Sequence, residues 1–141
     1  FCQEQTMADS VKISTSSENY LEVIYNLSKG TGSVRSIDVA NSLGVSKASV
    51  NKAVSILKEA GMVEQELYGA ITLTPLGETK AREVFHRHCT IKRFLVKILG
   101  VSEEVAEEDA CRMEHVISAE TMRLLTGYLE RQLGEDACPS V

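Results

Sequence analysis

The chain has 141 residues, 43% of them hydrophobic and 25% charged, which suits one or two small soluble domains and excludes a collagen-like or low-complexity polypeptide. No apolar run approaches the ~18 residues that a bilayer span needs, and the four cysteines, at positions 2, 89, 111 and 138, form no C-x-x-C pair, which removes a zinc ribbon and a disulfide framework. A formal net charge of −5 excludes a uniformly basic nucleic-acid binder, but the acidic excess lies mainly in the second half of the chain.

Residues 1–16 read as a flexible lead; Glu4 and Asp9 and the lack of an apolar segment argue against a signal peptide and make a cytoplasmic location the default. Ser17 to Lys29 reads as an amphipathic helix with Tyr20, Leu21, Ile24 and Leu27 at helical spacing and Ser16 or Ser17 as its cap. A short helix from Ser36 follows, with Ile37, Ala40 and Leu43 inward, and Gly44 ends it in a left-handed conformation. Ser46 caps a third helix reaching about Ala60, with Val50, Ala53, Val54 and Leu57 as its core stripe. Met62–Glu66 and Ala70–Leu73 read as two strands joined by a turn at Leu67-Tyr68-Gly69. Thr74-Pro75 opens a long helix expected to run to Leu99 before Gly100, with Ala81, Val84, Phe85, His88, Ile91, Leu95 and Ile98 in its stripe. Ser102 caps a helix expected to reach about Ile117, a last helix spans about Ala119 to Leu133, and 134–141 reads as a flexible tail.

The stretch from Ser36 to Leu57 carries the physics of a helix-turn-helix. Ala40 lets two helices approach closely, Gly44 takes the turn, Val45 fills the crease, and Val50 and Leu57 lock the second helix down. With Val50 inward, Ala48, Ser49, Asn51, Lys52 and Ser55 fall on the outer arc, where no acid stands. Hydroxyls and amides suit base edges, and Lys suits phosphate. Arg35, Ser36, Ser46 and Lys47 complete the expected DNA-contacting set, and the hairpin reads as a wing with Tyr68 at its tip. The bland alternative is a helical hairpin with a solvated polar face.

A second constellation is Glu107-x-x-x-Cys111-x-x-Glu114-His115. On a helical wheel Cys111, Glu114 and His115 lie at about 40°, about −20° and about 80° from Glu107, so thiol, carboxylate and imidazole crowd one flank. That flank adjoins an apolar one of Ala106, Ala110, Met113 and Ile117, an arrangement that suits a first-row transition metal. His88 points inward on its own helix, and Asn19 and Glu22 share a face of the first. Three helices can thus bring donors to one place. Taken singly, an inward His such as His88 is more often a core histidine, and Cys111 could be a small buried hydrophobe.

The chain resembles the diphtheria-toxin-repressor family, including its manganese-transport-regulator branch. The matching stretches are Asn19-Tyr-Leu-Glu-Val-Ile-Tyr-Asn-Leu, the helix-turn-helix, Ile71-Thr-Leu-Thr-Pro-Leu-Gly, His88 followed by Arg93-Phe-Leu, and above all Glu108-Asp-Ala-Cys-Arg-Met-Glu-His-Val-Ile-Ser118. The resemblance covers about 17–133 and implies a mainly α protein: a winged helix-turn-helix DNA domain over 17–75, then a helical metal-binding and dimerisation domain over 76–133. It implies a divalent-metal-activated, homodimeric repressor of metal-homeostasis genes that binds a palindromic double-stranded operator. Cys111, Glu114 and His115 match the metal cluster, His88 matches the long-helix histidine, and Glu22 matches a manganese-branch glutamate. Asn19 stands where the iron branch has Met and the manganese branch Asp. Lys92 and Glu107 replace a Glu and a His of the iron branch's second site, and the chain ends without the SH3-like domain of longer members.

Fe(II) or Mn(II) is the expected ion, with Zn(II) or another divalent metal possible in vitro; Cys111 adds softness that favours Fe(II) or Zn(II). Neither an enzymatic function, a membrane partner nor a small-molecule substrate is expected: no H-E-x-x-H and no Gly-rich phosphate loop occurs. The alternative is a metal-independent winged-helix regulator that senses a small ligand or an oxidant through Cys89 or Cys111.

Overall fold

The structure, a computed structural model, describes residues 13–66 and 69–134. Helix α1 spans Thr15–Ser28. Its cap is Ser14, whose Oγ accepts from the Ser17 amide, so the helix starts earlier than the sequence reading placed it. Ser17 is thereby a buried first-turn residue rather than a cap. Leu21 and Ile24 are fully buried, whereas Leu27 lies at the exposed end of the stripe.

Helices α2 (Ser36–Leu43) and α3 (Lys47–Glu59) follow, separated by Gly44 at φ 68°. Only the positive-φ region closes so tight a turn, which is why glycine stands there. Ser46 accepts from the Ser49 amide and opens α3. Two expected core positions are corrected: Ile37 is 43% exposed and Val45 38% exposed. Ala40 is buried as expected, and Val39 faces inward in place of Ile37, because the short α2 is rotated by part of a turn from the expected phase.

Strands β1 (Val63–Gln65) and β2 (Ile71–Leu73) pair antiparallel with Val63 opposite Leu73. Val34, between α1 and α2, adds a single bridge to Ile71, a pairing too short to leave a periodic trace in sequence. Tyr68, the expected wing tip, lies outside the described residues.

Helix α4 (Pro75–Arg93) begins as expected at Thr74, whose side chain accepts from Gly77 N. It does not continue as α-helix to Leu99: Phe94–Ile98 forms a π-helical turn closed by Leu99 N donating to Phe94 O. Helix α5 is Glu103–Met113, shorter than expected, and α6 is Ala119–Leu133. The break falls before Ser118, because that residue adopts an extended conformation to cap α6 and accepts from Thr121 N. Glu114 therefore caps the C-terminus of α5, and His115 sits in the turn beyond it.

Two apolar clusters result. The first joins Leu21, Ile24, Val39, Val50, Leu57, Met62, Val63 and Ile71, with Ala81 from the start of α4. The second joins Ile91 and Leu95 with Ala106, Ala110 and Met122. Helix α4 enters both, so one rigid rod connects the helix-turn-helix to α5 and α6. No helix of the described residues is long and apolar enough to cross a membrane.

Candidate metal centre and nucleic-acid interface

Helix α1 packs against α4, and α4 against α5. That layering brings the sequence-predicted donors together. Donor atoms of His88, Cys111 and Glu114 lie within 4.8 Å of one another, and so do those of Glu22, Glu114 and His115. Glu114 belongs to both triplets. Asn19 is half-buried and lines the same clefts, beside Cys111 and His115 on one side and Glu22 and His88 on the other.

Glu114 is the pivot. It is 0% exposed, with Oε2 2.8 Å from His88 Nδ1 and Oε1 3.2 Å from His115 Nε2. The second approach lacks hydrogen-bond alignment, so Glu114 Oε1 is a buried acceptor without a hydrogen-bond partner. Such an orphan is costly unless something else satisfies it. Glu22, 7% exposed on α1, faces it. Burial first, then a side-chain hydrogen bond with Glu114 and the charge of that carboxylate, push the Glu22 carboxyl up to about 8. His88 is raised mainly by its bond to Glu114, against the opposing effect of burial. Burial, and then the nearby carboxylates, raise the Cys111 thiol, which is exposed at the rim.

These observations test whether the residues fit a divalent ion, and they do. The buried Glu22 carboxyl stands beside Glu114, Glu114 Oε1 lies 3.2 Å from His115 Nε2 without a hydrogen bond, and the spacing matches donors standing on the order of 4 Å apart across an ion bound at about 2 Å. Mixed carboxylate, imidazole and thiol donors favour a transition metal over Mg(II) or Ca(II).

Glu107 stands apart from both triplets. Its Oε2 is 2.9 Å from His88 Nε2 and its Oε1 is 2.9 Å from Lys92 Nζ. Burial works against ionising Glu107, but the bond from Lys92 and the charge of His88 outweigh it and hold the carboxyl below its ordinary range.

One residue escaped the sequence reading: Glu18. It is buried and lies 2.9 Å from His115 Nδ1, 3.2 Å from Arg87 Nη2 and 3.6 Å from Lys80 Nζ. Arg87 also donates from Nε to the Glu114 carbonyl at 2.8 Å. A signal was present, since Glu18 precedes Glu22 by four residues and so shares its face of α1.

Ala48, Ser49, Asn51, Lys52 and Ser55 are all exposed on α3, as the wheel anticipated, and so are Lys47 and the capping Ser46. Arg35 pairs with Asp38 at 3.1 Å, and half-buried Ser36 accepts from Gln65 Nε2 at 3.4 Å. Arg35, Lys47, Asn51 and Lys58 border one cleft between α2, α3 and the hairpin.

A winged helix-turn-helix joined to a helical unit that gathers imidazole, thiol and carboxylate donors is the build of a metal-responsive transcription regulator. Residues 12–71 match the iron-dependent repressor N-terminal DNA-binding domain, and residues 74–136 match the iron-dependent repressor metal-binding and dimerisation domain; the chain belongs to that family. It is 36% identical to an uncharacterised helix-turn-helix-type transcriptional regulator of Methanocaldococcus jannaschii, over 84% of this chain and 96% of that one. To the transcriptional regulator MntR of Salmonella typhimurium it is also 36% identical, over 81% of this chain and 72% of the relative. Among solved structures, it superposes on IdeR of T. acidophilum with TM-score 0.72 at 28% identity, covering 93% of this chain and 58% of that one. A manganese-dependent transcriptional repressor in complex with manganese gives TM-score 0.73 at 28% identity, with 84% and 52% covered. The chain thus spans little more than half of those two solved chains. The family is one of DNA-binding regulators that dimerise, not of enzymes.

Proposed function

We propose that this protein is a cytoplasmic repressor of metal-homeostasis genes, activated by Fe(II) or Mn(II), that binds a palindromic operator as a homodimer. The observation that carries this reading is Glu114: fully buried, with one oxygen unsatisfied, between Glu22 of α1 and the imidazoles of His88 and His115. Glu22, His88, Cys111, Glu114 and His115 would hold the ion, with Asn19 as a neutral oxygen donor at the edge. The ion, when bound, would supply the positive charge that lets the Glu22 carboxyl ionise beside Glu114.

The rest is done by the chain's own residues. Glu22 and Asn19 ride on α1, which packs on the helix-turn-helix through Leu21 and Ile24. His88, Cys111, Glu114 and His115 ride on α4 and the end of α5. Drawing the two sets together fixes α1 against α4, and with it the placement of α3. In a two-fold dimer that sets the separation of two recognition helices, which meet half-sites about one helical turn apart. A coupling of ~1–3 kcal/mol per site gives about 5–150-fold in operator affinity. Ser49, Asn51, Lys52 and Ser55 are suited to bases and phosphates, with Arg35, Ser36, Ser46, Lys47 and Ala48 around them. Residues 17–75 then form the reading unit and 76–133 the sensing and dimerising unit.

The test is operator binding by chelator-treated protein with and without Mn(II) or Fe(II) under anaerobic conditions. Metal should tighten binding at least several-fold. Equal affinity in both states would end the switch reading.

A further inference from the structure

We infer that Lys92 is the resident cation of the outer half of this centre, so that each subunit takes a single divalent ion. The inference rests on the metal reading above and concerns how many ions the cluster admits.

The His88 ring lies between two carboxylates. Nδ1 faces Glu114 Oε2 at 2.8 Å on the inner side, and Nε2 faces Glu107 Oε2 at 2.9 Å on the outer side. The outer side opens into a cleft of about 670 Å³ that Cys89 and Asn19 also line. Imidazole, carboxylate, thiol and amide oxygen are the donor types of a second transition-metal site.

What separates the two sides is the state of the carboxylate. Glu114 Oε1 receives no hydrogen bond from a nitrogen, and the acid beside Glu114 is Glu22, itself a candidate ligand. Glu107 has both oxygens engaged, Oε1 by Lys92 Nζ at 2.9 Å and Oε2 by His88. Lys92 stands one turn after His88 on α4, so its reach to Glu107 is built into the helix. An ion entering there must break both bonds and then sit beside an ammonium that carries no lone pair while protonated. The tethered charge does for Glu107 what a metal would do, without ever dissociating.

The experiment counts ions. Full-length protein is dialysed to equilibrium against Mn(II), and bound manganese per subunit is measured by mass spectrometry, with electron paramagnetic resonance reporting coupling between neighbouring ions. The wild type should saturate at one ion without a coupled signal. Lys92→Glu should saturate at two, the second bound at least tenfold more tightly than any second ion in the wild type. Lys92→Gln, which removes the charge and keeps a donor, should fall between and covers the case in which Lys92→Glu fails to fold. Two tight ions in the wild type overturn the inference and leave the metal reading intact. Folded variants that both stop at one ion overturn it as well. A wild type that takes up no manganese overturns both together.

Discussion

His115 Nδ1 lies 2.9 Å from Glu18 Oε1, across 97 residues of sequence. A carboxylate only accepts, so in this contact Nδ1 donates, and Nε2 is the nitrogen turned toward Glu114 Oε1, 3.2 Å away. Arg87 and Lys80 hold the same carboxylate in place. Glu18 is thus a positioning residue: it orients a candidate ligand and ties α1 to the turn after α5. Partners of this kind, when removed, typically cost about 10–100-fold in metal affinity. Glu18→Gln should weaken Mn(II) binding in a chelator-competition titration by about tenfold or more, with helical content unchanged. A purely structural role would lower Tm and leave the manganese Kd where it was.

The metal-free protein should lose stability as pH rises. The Glu22 carboxyl is at about 8 when folded against 4.5 for the free group. Between those values the folded chain holds a proton that the unfolded chain has released, so the stability present at low pH is eroded as pH climbs, at up to ~1.4 kcal/mol per unit. His88, also raised, acts in the same direction at the upper end of its titration. A divalent ion replaces the Glu22 proton, so the Tm gain on adding Mn(II) should be larger at pH 8 than at pH 6. Glu22→Gln should flatten the metal-free profile. Melting curves across that range check both, and a metal-free Tm that rises toward pH 8 would contradict the buried-pair description.

On the reading face, Lys52 is exposed on the outer arc of α3, whereas Arg35 is engaged by Asp38. Lys52→Ala should therefore weaken operator binding and reduce the slope of log affinity against log salt by about 1, as expected for one lost phosphate contact. Arg35→Ala should change the slope less, because that guanidinium already has a partner to give up. Manganese affinity should stay the same in both. An unchanged salt slope for Lys52→Ala would remove Lys52 from the phosphate contacts.

How much of this was legible before the fold was known depends on how local the cause is. Gly44, Ser46 and Thr74-Pro75 act through their own backbone neighbours, so turn chemistry located the helix-turn-helix and the start of α4 directly. The flank of Cys111 and Glu114 followed from helical geometry, because both sit on or at the end of one helix. The end of α5 did not, because Ser118 of the next helix decides it. Glu18 was overlooked for a different reason: its partners Lys80, Arg87 and His115 come from two distant segments, and an acid on a polar face announces none of them. The π-helical turn at Phe94–Ile98 left no pattern at all, since Leu95 keeps its place in an ordinary apolar stripe.

Gly77 sets the last expectation, which nothing in its sequence neighbourhood reveals. It lies in the first turn of α4, where a Cβ would stand 1.9 Å from the Met62 carbonyl oxygen and 2.8 Å from its carbon. The obstacle is backbone, not a flexible side chain, and that carbonyl already accepts from Thr74 N at 3.0 Å. Thr74 Oγ1 donates to Gly61 O at 2.6 Å, so the helix start is pinned to the turn between α3 and β1 at two adjacent points. Gly77→Ala must push α4 outward against those bonds. Overpacking of this kind costs about 1–3 kcal/mol or more, a Tm loss of about 3–10 °C or more for a chain of this size. The same displacement moves His88, which α4 carries toward Glu114, so manganese affinity should fall together with stability. A Gly77→Ala protein that melts within about 1 °C of the wild type would mean that α4 does not approach Met62 this closely.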